Sequence, residues 1–170
     1  MEQKNAITMK GQPLTLVGAE LKVGDKAPDF TVVDNNLKEK SLDDFRGKIK
    51  LFSTTPSLDT PVCDAQVKRF NEEATKLHNN IQIINISMDL PFAMARFCQS
   101  NNIDRVLTLS DHREASFGLN YGVLIKELRL LARAIFIVDS NDIIKYIEIV
   151  KEATNHPDYD RAINSLKEIS

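Results

Sequence analysis

Several residue types are scarce in this 170-residue sequence, and each scarcity excludes a class of protein. There is no Trp, and the two Cys are too few for a disulfide-rich secreted scaffold. The 22 Lys and Arg are balanced by 24 Asp and Glu, so the basic surface of a non-specific nucleic-acid binder is missing. The longest apolar run, Ala134 to Val138, is far shorter than the roughly 18 residues of a membrane-spanning helix. We therefore expect neither nucleic acid nor a membrane as partner.

Glycine and histidine are also sparse. The six Gly form neither a dinucleotide fingerprint nor a phosphate-binding loop, and the three His and two Cys lack metal-ligand spacing. We expect no cofactor and no metal. The N-terminal segment has no apolar run long enough for a signal-peptide core, so we expect a cytoplasmic protein. In such a reducing compartment a lasting structural disulfide is unexpected, whereas a transient catalytic one is not.

The chain length predicts a single domain over residues 1–170, and no repeat, low-complexity tract or charge block suggests a linker. Short strands around the turn at residues 11–13 predict a β-hairpin at the N-terminus. Further strands are predicted at residues 50–53, 81–87, 106–109, 131–138 and 143–150. Helices are predicted at residues 61–77, 91–100 and 158–169, with one more opened by a capping box of Asp111 and Glu114. This succession indicates an α/β fold with a partly parallel sheet, whose ligand site lies beyond the carboxyl ends of the parallel strands.

Cys63 follows the first of these parallel strands. Thr60 and Pro61 form a strong helix-start signal, which places Cys63 in the first helical turn. Free N–H groups and the positive end of the helix dipole favour a thiolate at such a position. The alternative is a small buried hydrophobe, because Cys63 also heads an apolar stripe with Val67 and Phe70. The helix start favours the nucleophile.

Cys98 lies on the apolar face of the next predicted helix, with Met94 and Phe97. From the pattern alone a buried hydrophobe is the better interpretation. If Cys98 pairs with Cys63, the two do not form a CxxC turn, and one or both helix ends have to open. The weak helix formers at residues 100–102 make that end the one that yields more easily.

Arg133 interrupts an otherwise apolar segment of a buried strand. Burying a guanidinium is costly unless an anion meets it. A structural carboxylate and a functional anion, either the Cys63 thiolate or a substrate oxygen, are equally compatible with the sequence.

A Cys–His hydrolase fits poorly, because His78 lies roughly 22 Å along the helix from Cys63. His112 and His156 remain possible partners, although both are expected to face solvent.

The segment around Cys63 resembles the active-site signature of a known family. Pro56, Thr60 and Cys63 match the PxxxTxxC pattern of peroxiredoxins, and the longer form Pro-Ser-x-Asp-Thr-Pro-Val-Cys is similar to that of their thiol peroxidase subfamily. The similarity covers nearly the whole chain and includes residues 27–30, 96–98, 109–113 and 130–134. A Cys at position 98 and an Arg at position 133 strengthen the match.

The resemblance implies a thioredoxin-like fold of the peroxiredoxin type, with a central mixed β-sheet flanked by helices and an N-terminal β-hairpin. It further implies an atypical two-cysteine peroxidase that reduces hydrogen peroxide and organic hydroperoxides, such as those of alkyl chains and lipids, in antioxidant defence and redox homeostasis. The family is typically a homodimer that is reduced by thioredoxin.

Residue roles carry over by position. Cys63 would be the peroxidatic cysteine that becomes a sulfenic acid, and Cys98 the resolving cysteine that closes an intramolecular disulfide with it. Thr60 would hydrogen-bond the sulfur and the peroxide, Arg133 would stabilise the thiolate and the developing oxyanion, and Pro56 would shield the pocket from water.

Two other functions use the same cysteines. A redox-sensing interaction protein would change a binding surface through the disulfide and turn over peroxide only incidentally. A general disulfide oxidoreductase is a weaker alternative, since the CxxC motif is missing.

Overall fold

The computed structural model describes residues 1–170 as two sheets and four α-helices. The strands are, in chain order, β1 (Glu2–Met9), β2 (Gln12–Val17), β3 (Val32–Val33), β4 (Glu39–Lys40), β5 (Ile49–Thr54), β6 (Ile81–Ser87), β7 (Val106–Ser110), β8 (Leu124–Ile125), β9 (Leu130–Leu131), β10 (Ala134–Val138) and β11 (Ile144–Ile149). The helices are α1 (Pro61–Ala74), α2 (Pro91–Ser100), α3 (Ser116–Asn120) and α4 (Tyr159–Ile169), and a 3₁₀ turn covers Leu42–Phe45. None of the helices is long and apolar enough to cross a membrane.

The larger sheet has seven strands in the order β11-β10-β5-β6-β7-β3-β4. Its central strands β5, β6 and β7 run parallel, and the outer strands are antiparallel to their neighbours. The smaller sheet joins the N-terminal hairpin β1-β2 to β8 and β9. The predicted α/β class, mixed sheet and N-terminal hairpin are thereby confirmed.

Side chains alternate between the two faces of the large sheet and build two separate cores. On one face, α1, α2 and α4 cover an aliphatic cluster that includes Leu51, Ile83 and Ile135. On the other face, α3 and the small sheet cover a cluster rich in aromatic rings, among them Phe52 and Phe117. Both helices that carry a cysteine, α1 and α2, therefore share one face.

The predicted start of α1 is confirmed. Thr60 is the N-cap residue in extended conformation, and Pro61 opens the helix. The helix ends at Ala74, three residues before the predicted end at Leu77. Both the N–H and the hydroxyl of Thr75 bond to the Glu72 carbonyl, which tightens the last turn and ends the helix.

The predicted capping box at the start of α3 is wrong. The helix begins at Ser116, after Ala115 in left-handed conformation with φ of 52°. Asp111 instead reaches forward, and its two carboxylate oxygens accept the N–H groups of Phe117 and Gly118. Asp111 thus supports the helix start from five residues away, and Glu114 has no part in it.

The predicted strand over residues 131–138 is interrupted between β9 and β10. Leu131 still pairs in the small sheet, whereas Ala134 already pairs in the large one. At the crossing, the Ala132 N–H donates to the Val123 carbonyl, and the Thr54 hydroxyl donates to the Ala132 carbonyl. Arg133 stands at this crossing.

Candidate active site

Cys63 is the third residue of α1, and its side chain is fully buried. Val67 and Phe70 continue the same buried stripe along the helix. The N–H groups of Val62 and Cys63 find no acceptor within the protein, because the first bond of the helix runs from the Asp64 N–H to the Thr60 carbonyl. Two unengaged donors and the positive end of α1 therefore lie beside the sulfur.

Thr60 does not cap the helix with its side chain. Its hydroxyl donates instead to the carbonyl of Ser57 at 2.9 Å. The hydroxyl proton is thus engaged within the loop, and the oxygen lone pairs remain open to a donor.

The loop before α1 is anchored by Asp89, which follows the carboxyl end of β6. Its carboxylate accepts the Ser57 hydroxyl and the Leu58 N–H, both at 2.9 Å, and the Ser87 hydroxyl at 2.7 Å. Sequence reasoning missed this residue. Its position after a parallel strand was the available signal, since such side chains meet at the ligand edge of the sheet.

Arg133 is 2% exposed and has only neutral oxygen partners. Its Nε and Nη2 atoms donate to the Ala153 carbonyl at 3.0 and 2.8 Å, and Nη1 donates to Oε1 of Gln66 at 2.9 Å. No carboxylate pairs with it, so the structural alternative left open by the sequence is not realised. A guanidinium has five N–H donors, and two of them remain without a protein acceptor. The buried positive charge is available to an incoming anion.

Gln66 lies one turn after Cys63 and is held from its other end. Its Nε2 donates to the Ser53 hydroxyl at 2.6 Å, and that hydroxyl donates to Oδ1 of Asn85 at 3.2 Å. All three side chains are fully or almost fully buried. The network orients the Gln66 amide so that its oxygen faces Arg133, an orientation that no local sequence pattern reveals.

A cavity of about 440 Å³ opens beside the start of α1. Pro56, Thr60 and Arg133 all line it, so three of the residues predicted for the site meet there. Cys63 is not part of the lining. Its neighbours Pro61 and Val62 are, which places the sulfur behind the cavity wall.

The rest of the cavity wall comes from the hairpin turn and from the loop after β11. Glu152 links these two segments. Its carboxylate accepts from the Thr8 hydroxyl and the Gly11 N–H on one oxygen and from Thr154 on the other. These hydrogen bonds lower the pKa of Glu152 to about 2, and those from the Thr154 hydroxyl and N–H have the largest effect. The joined segments supply Met9 and Lys10 to the cavity and hold the Ala153 carbonyl that Arg133 needs.

Cys98 lies apart from this cavity, near the end of α2. Its sulfur is half-buried and stands 3.5 Å from the hydroxyl of Thr108 on β7. Both cysteines are free thiols. Between α1 and α2 runs a shallow groove lined by Leu58, Phe97 and Asn101, among others. The structure therefore brings Pro56, Thr60 and Arg133 together next to Cys63 and leaves Cys98 on the neighbouring helix.

Other catalytic arrangements find little support in the geometry. No hydrogen bond joins Cys63 to a histidine, and the His156 ring bonds the hydroxyl of Tyr159 at 2.7 Å. Burial raises the pKa of that tyrosine. No group of three or more His, Cys, Asp or Glu side chains is placed to hold a metal ion.

Comparison with known proteins places the chain among redox proteins. The Redoxin family model matches residues 22–163. A thiol peroxidase of Bacillus subtilis is 60% identical over 161 residues, covering 95% of this chain and 96% of the relative. A thiol peroxidase of Oceanobacillus iheyensis is 59% identical over 160 residues, with 94% and 97% covered. The crystal structure of a peroxiredoxin-like protein from Aquifex aeolicus superposes with a TM-score of 0.91 at 43% identity, covering 98% of each chain.

Proposed function

The chain belongs to the Redoxin family and, within it, to the thiol peroxidases of the peroxiredoxin type, and from that premise we propose how its residues act. Cys63 is the peroxidatic cysteine and Cys98 the resolving one. The substrates are hydrogen peroxide and organic hydroperoxides, the reductant is thioredoxin, and the protein serves antioxidant defence in the cytoplasm. The observation that carries this assignment is the buried Arg133 next to the start of α1, with three bonds to neutral oxygens and none to a carboxylate.

In the first step the Cys63 thiolate attacks one oxygen of the hydroperoxide. The S–O bond forms while the O–O bond breaks, and the electron pair leaves with the second oxygen, which takes up a proton to give water or an alcohol. Cys63 is left as a sulfenic acid. The sulfur is buried, so the first turn of α1 has to shift slightly for the peroxide to reach it.

Fixed donors stabilise the charge during this step. Arg133 has two free N–H groups, and the N–H groups of Val62 and Cys63 at the start of α1 are also without an acceptor in the protein. Donors held in place before the reaction stabilise developing charge without reorganisation, which is a large contribution to many enzymatic rates. Thr60 accepts a hydrogen bond from the peroxide with its free lone pairs, and Pro56 keeps water from the buried side of the cavity.

In the second step the Cys98 thiol attacks the sulfenic acid. A Cys63–Cys98 disulfide forms and one water leaves, which protects Cys63 from further oxidation to the sulfinic acid. Because the two thiols sit on different helices, the end of α2 has to open before the sulfurs meet. The dithiol of thioredoxin then reduces the disulfide and becomes oxidised itself.

We also propose that two copies of the chain associate as a homodimer, as the relatives' family implies. Leu90 and Phe92, at the start of α2, are 53% and 66% exposed and offer apolar surface that a second copy could cover. Light scattering during size-exclusion chromatography measures the mass directly. A monomer at micromolar concentration would contradict the proposal.

The decisive experiment is multiple turnover with thioredoxin, thioredoxin reductase and NADPH. We expect the parent to consume hydrogen peroxide and an alkyl hydroperoxide continuously, Cys63→Ser to consume neither, and Cys98→Ser to react once and stop. Peptide mapping of the oxidised parent should find the link between the two cysteines.

Each alternative has its own outcome. A redox sensor would oxidise once and then wait, even with the reductant present. Peroxide consumption by Cys63→Ser at the parent rate would overturn the assignment of the nucleophile, and an oxidised parent without the 63–98 link would remove the resolving role of Cys98.

A further inference from the structure

Cys98 is held by a hydroxyl that the proposed reaction does not use. We propose that Thr108, with Asn35 behind it, is a positioning residue that holds Cys98 in the folded helix and sets the rate at which it is released to resolve Cys63. The inference rests on the proposed function, in which Cys98 attacks the sulfenic acid.

Thr108 belongs to a row of polar side chains on three adjacent parallel strands. In the register of the sheet, Ser53 of β5 pairs with Asn85 of β6, and Asn85 pairs with Thr108 of β7. All three are at most 1% exposed and lie under α1 and α2. Ser53 and Asn85 belong to the network that orients Gln66, whereas Thr108 contacts Cys98. The polar row therefore ends at Gln66, one turn after Cys63, on one side and at Cys98 on the other.

The direction of the hydrogen bonds at Thr108 follows from its single proton. The hydroxyl donates to Oδ1 of Asn35 at 2.9 Å. Its lone pairs face the Cys98 sulfur at 3.5 Å, so Cys98 is the donor in that contact. Asn35 is itself well placed, because it lies in the tight turn between β3 and β4. Asp34 closes that turn by accepting the N–H groups of Asn36 and Lys38.

This direction makes the release of Cys98 inexpensive. When the end of α2 opens, the Thr108 hydroxyl keeps its hydrogen bond to Oδ1 of Asn35. No donor that stays buried at Thr108 therefore loses its acceptor. Of the contacts that Thr108 makes, only the weak S–H···O bond from Cys98 is broken. With the opposite direction, the departing sulfur would leave the hydroxyl proton unpaired in a buried site, which costs more than the bond itself is worth.

Two substitutions should therefore change the resolving step in opposite directions. Thr108→Val removes the acceptor and should speed disulfide formation about threefold, the scale of one weak hydrogen bond. Asn35→Leu leaves the Thr108 proton no acceptor except the Cys98 sulfur, and disulfide formation should slow by about the same factor. Thr108→Ser and Asn35→Asp keep the required groups and should behave like the parent.

The experiment is a single turnover with one equivalent of hydrogen peroxide, quenched at increasing times. Dimedone traps the Cys63 sulfenic acid, and alkylation blocks free thiols. The intact mass then distinguishes the dimedone adduct and the alkylated protein from the disulfide. Sulfenic acid formation should be equal in all five proteins, because neither Thr108 nor Asn35 reaches the cavity. At excess peroxide, the sulfinic acid fraction should fall for Thr108→Val and rise for Asn35→Leu.

The result separates this inference from the proposed function. If the parent forms no 63–98 disulfide, the proposed function fails first. If the parent forms it and Thr108→Val resolves at the parent rate or more slowly, the inference is overturned. It is equally overturned if Thr108→Ser behaves like Thr108→Val, since the hydroxyl would then have no role, or if Asn35→Asp behaves like Asn35→Leu.

Discussion

At the scale of single residues, the neutral charge of Gln66 decides what Arg133 can bind. An amide oxygen satisfies one N–H of the guanidinium without cancelling its charge. A carboxylate at the same position would form a permanent buried ion pair, and the guanidinium would gain less from a thiolate or a peroxide oxygen. Gln66 thus leaves the positive charge of Arg133 available for the proposed reaction.

Gln66→Glu should lower the rate of Cys63 oxidation by about tenfold, equivalent to ~1.4 kcal/mol of lost transition-state stabilisation. The measurement is the rate of sulfenic acid formation under single turnover. Gln66→Met is the matched control, because it removes the hydrogen bond and adds no charge, and it should slow the reaction less. Equal rates for Gln66→Glu and the parent would show that the charge of Arg133 is not used.

At the scale of elements, the start of α3 rests on a buried carboxylate. Asp111 is 1% exposed, and burial raises its pKa from 3.8 to about 6 despite the N–H groups of Gly118 and Phe117. Between about pH 6 and pH 4 the folded protein therefore binds a proton that the unfolded chain releases. Burying the charged carboxylate destabilises the fold above pH 6, and this cost disappears as the pH falls.

We expect the parent to gain up to about 3 kcal/mol of unfolding free energy relative to Asp111→Asn between pH 7 and pH 4. Urea unfolding of both proteins at each pH gives the difference, in which the titration of all other groups cancels. The Asn variant should also be less stable at pH 4, because its NH2 group would face one of the two N–H donors, whereas both oxygens of the protonated Asp111 can still accept. A difference that is independent of pH would contradict the raised pKa.

The same elements show what could be predicted from the sequence. Thr60 and Pro61 act within one helical turn, so the start of α1 was predictable, and the periodic apolar positions were sufficient for α2. The start of α3 was not, because Asp111 acts across a turn that Ala115 makes possible by its left-handed conformation. The capping box rule relates an N-cap residue to the residue three positions later, so it does not apply to a carboxylate that reaches the helix across a loop.

Predictability at the site follows the same division. Pro56, Thr60 and Cys63 are neighbours in the chain, and their motif identified them together. The partners of Arg133 come from distant segments, since Ala153 is 20 residues away and Gln66 is 67 residues away. A sequence alone indicated that Arg133 needed compensation, but only the folded arrangement shows that neutral oxygens provide part of it.

At the scale of the whole molecule, the two cores separate the helices that the proposed reaction requires to open from the rest of the fold. Both cysteine helices cover the aliphatic face of the large sheet, whereas the aromatic cluster around Phe52 and Phe117 lies on the other. Stacked and edge-on aromatic rings fill that second core. The ring centroids of Phe117 and Tyr121, for example, are stacked 4.0 Å apart. Opening of α1 and α2 does not require any change there.

Oxidation to the disulfide should therefore speed hydrogen exchange in two short segments, around residues 61–66 and 94–103, and leave the aromatic core protected. Mass-spectrometric exchange on the reduced and oxidised proteins tests this expectation. Peroxide-treated Cys98→Ser, which cannot form the disulfide, should keep the protection of residues 94–103. Loss of protection throughout the molecule would mean that the two cores open together.

The polar row of Ser53, Asn85 and Thr108 also determines where this protein can be made more stable. Buried hydroxyls and amides under two helices occupy positions at which branched aliphatic side chains would pack well, so a search for stabilising substitutions would select them first. Filling them would disconnect Gln66 from its support at one end and release Cys98 at the other. Thermostable variants that keep the chemistry should thus carry their substitutions on the opposite side of the sheet or on the surface.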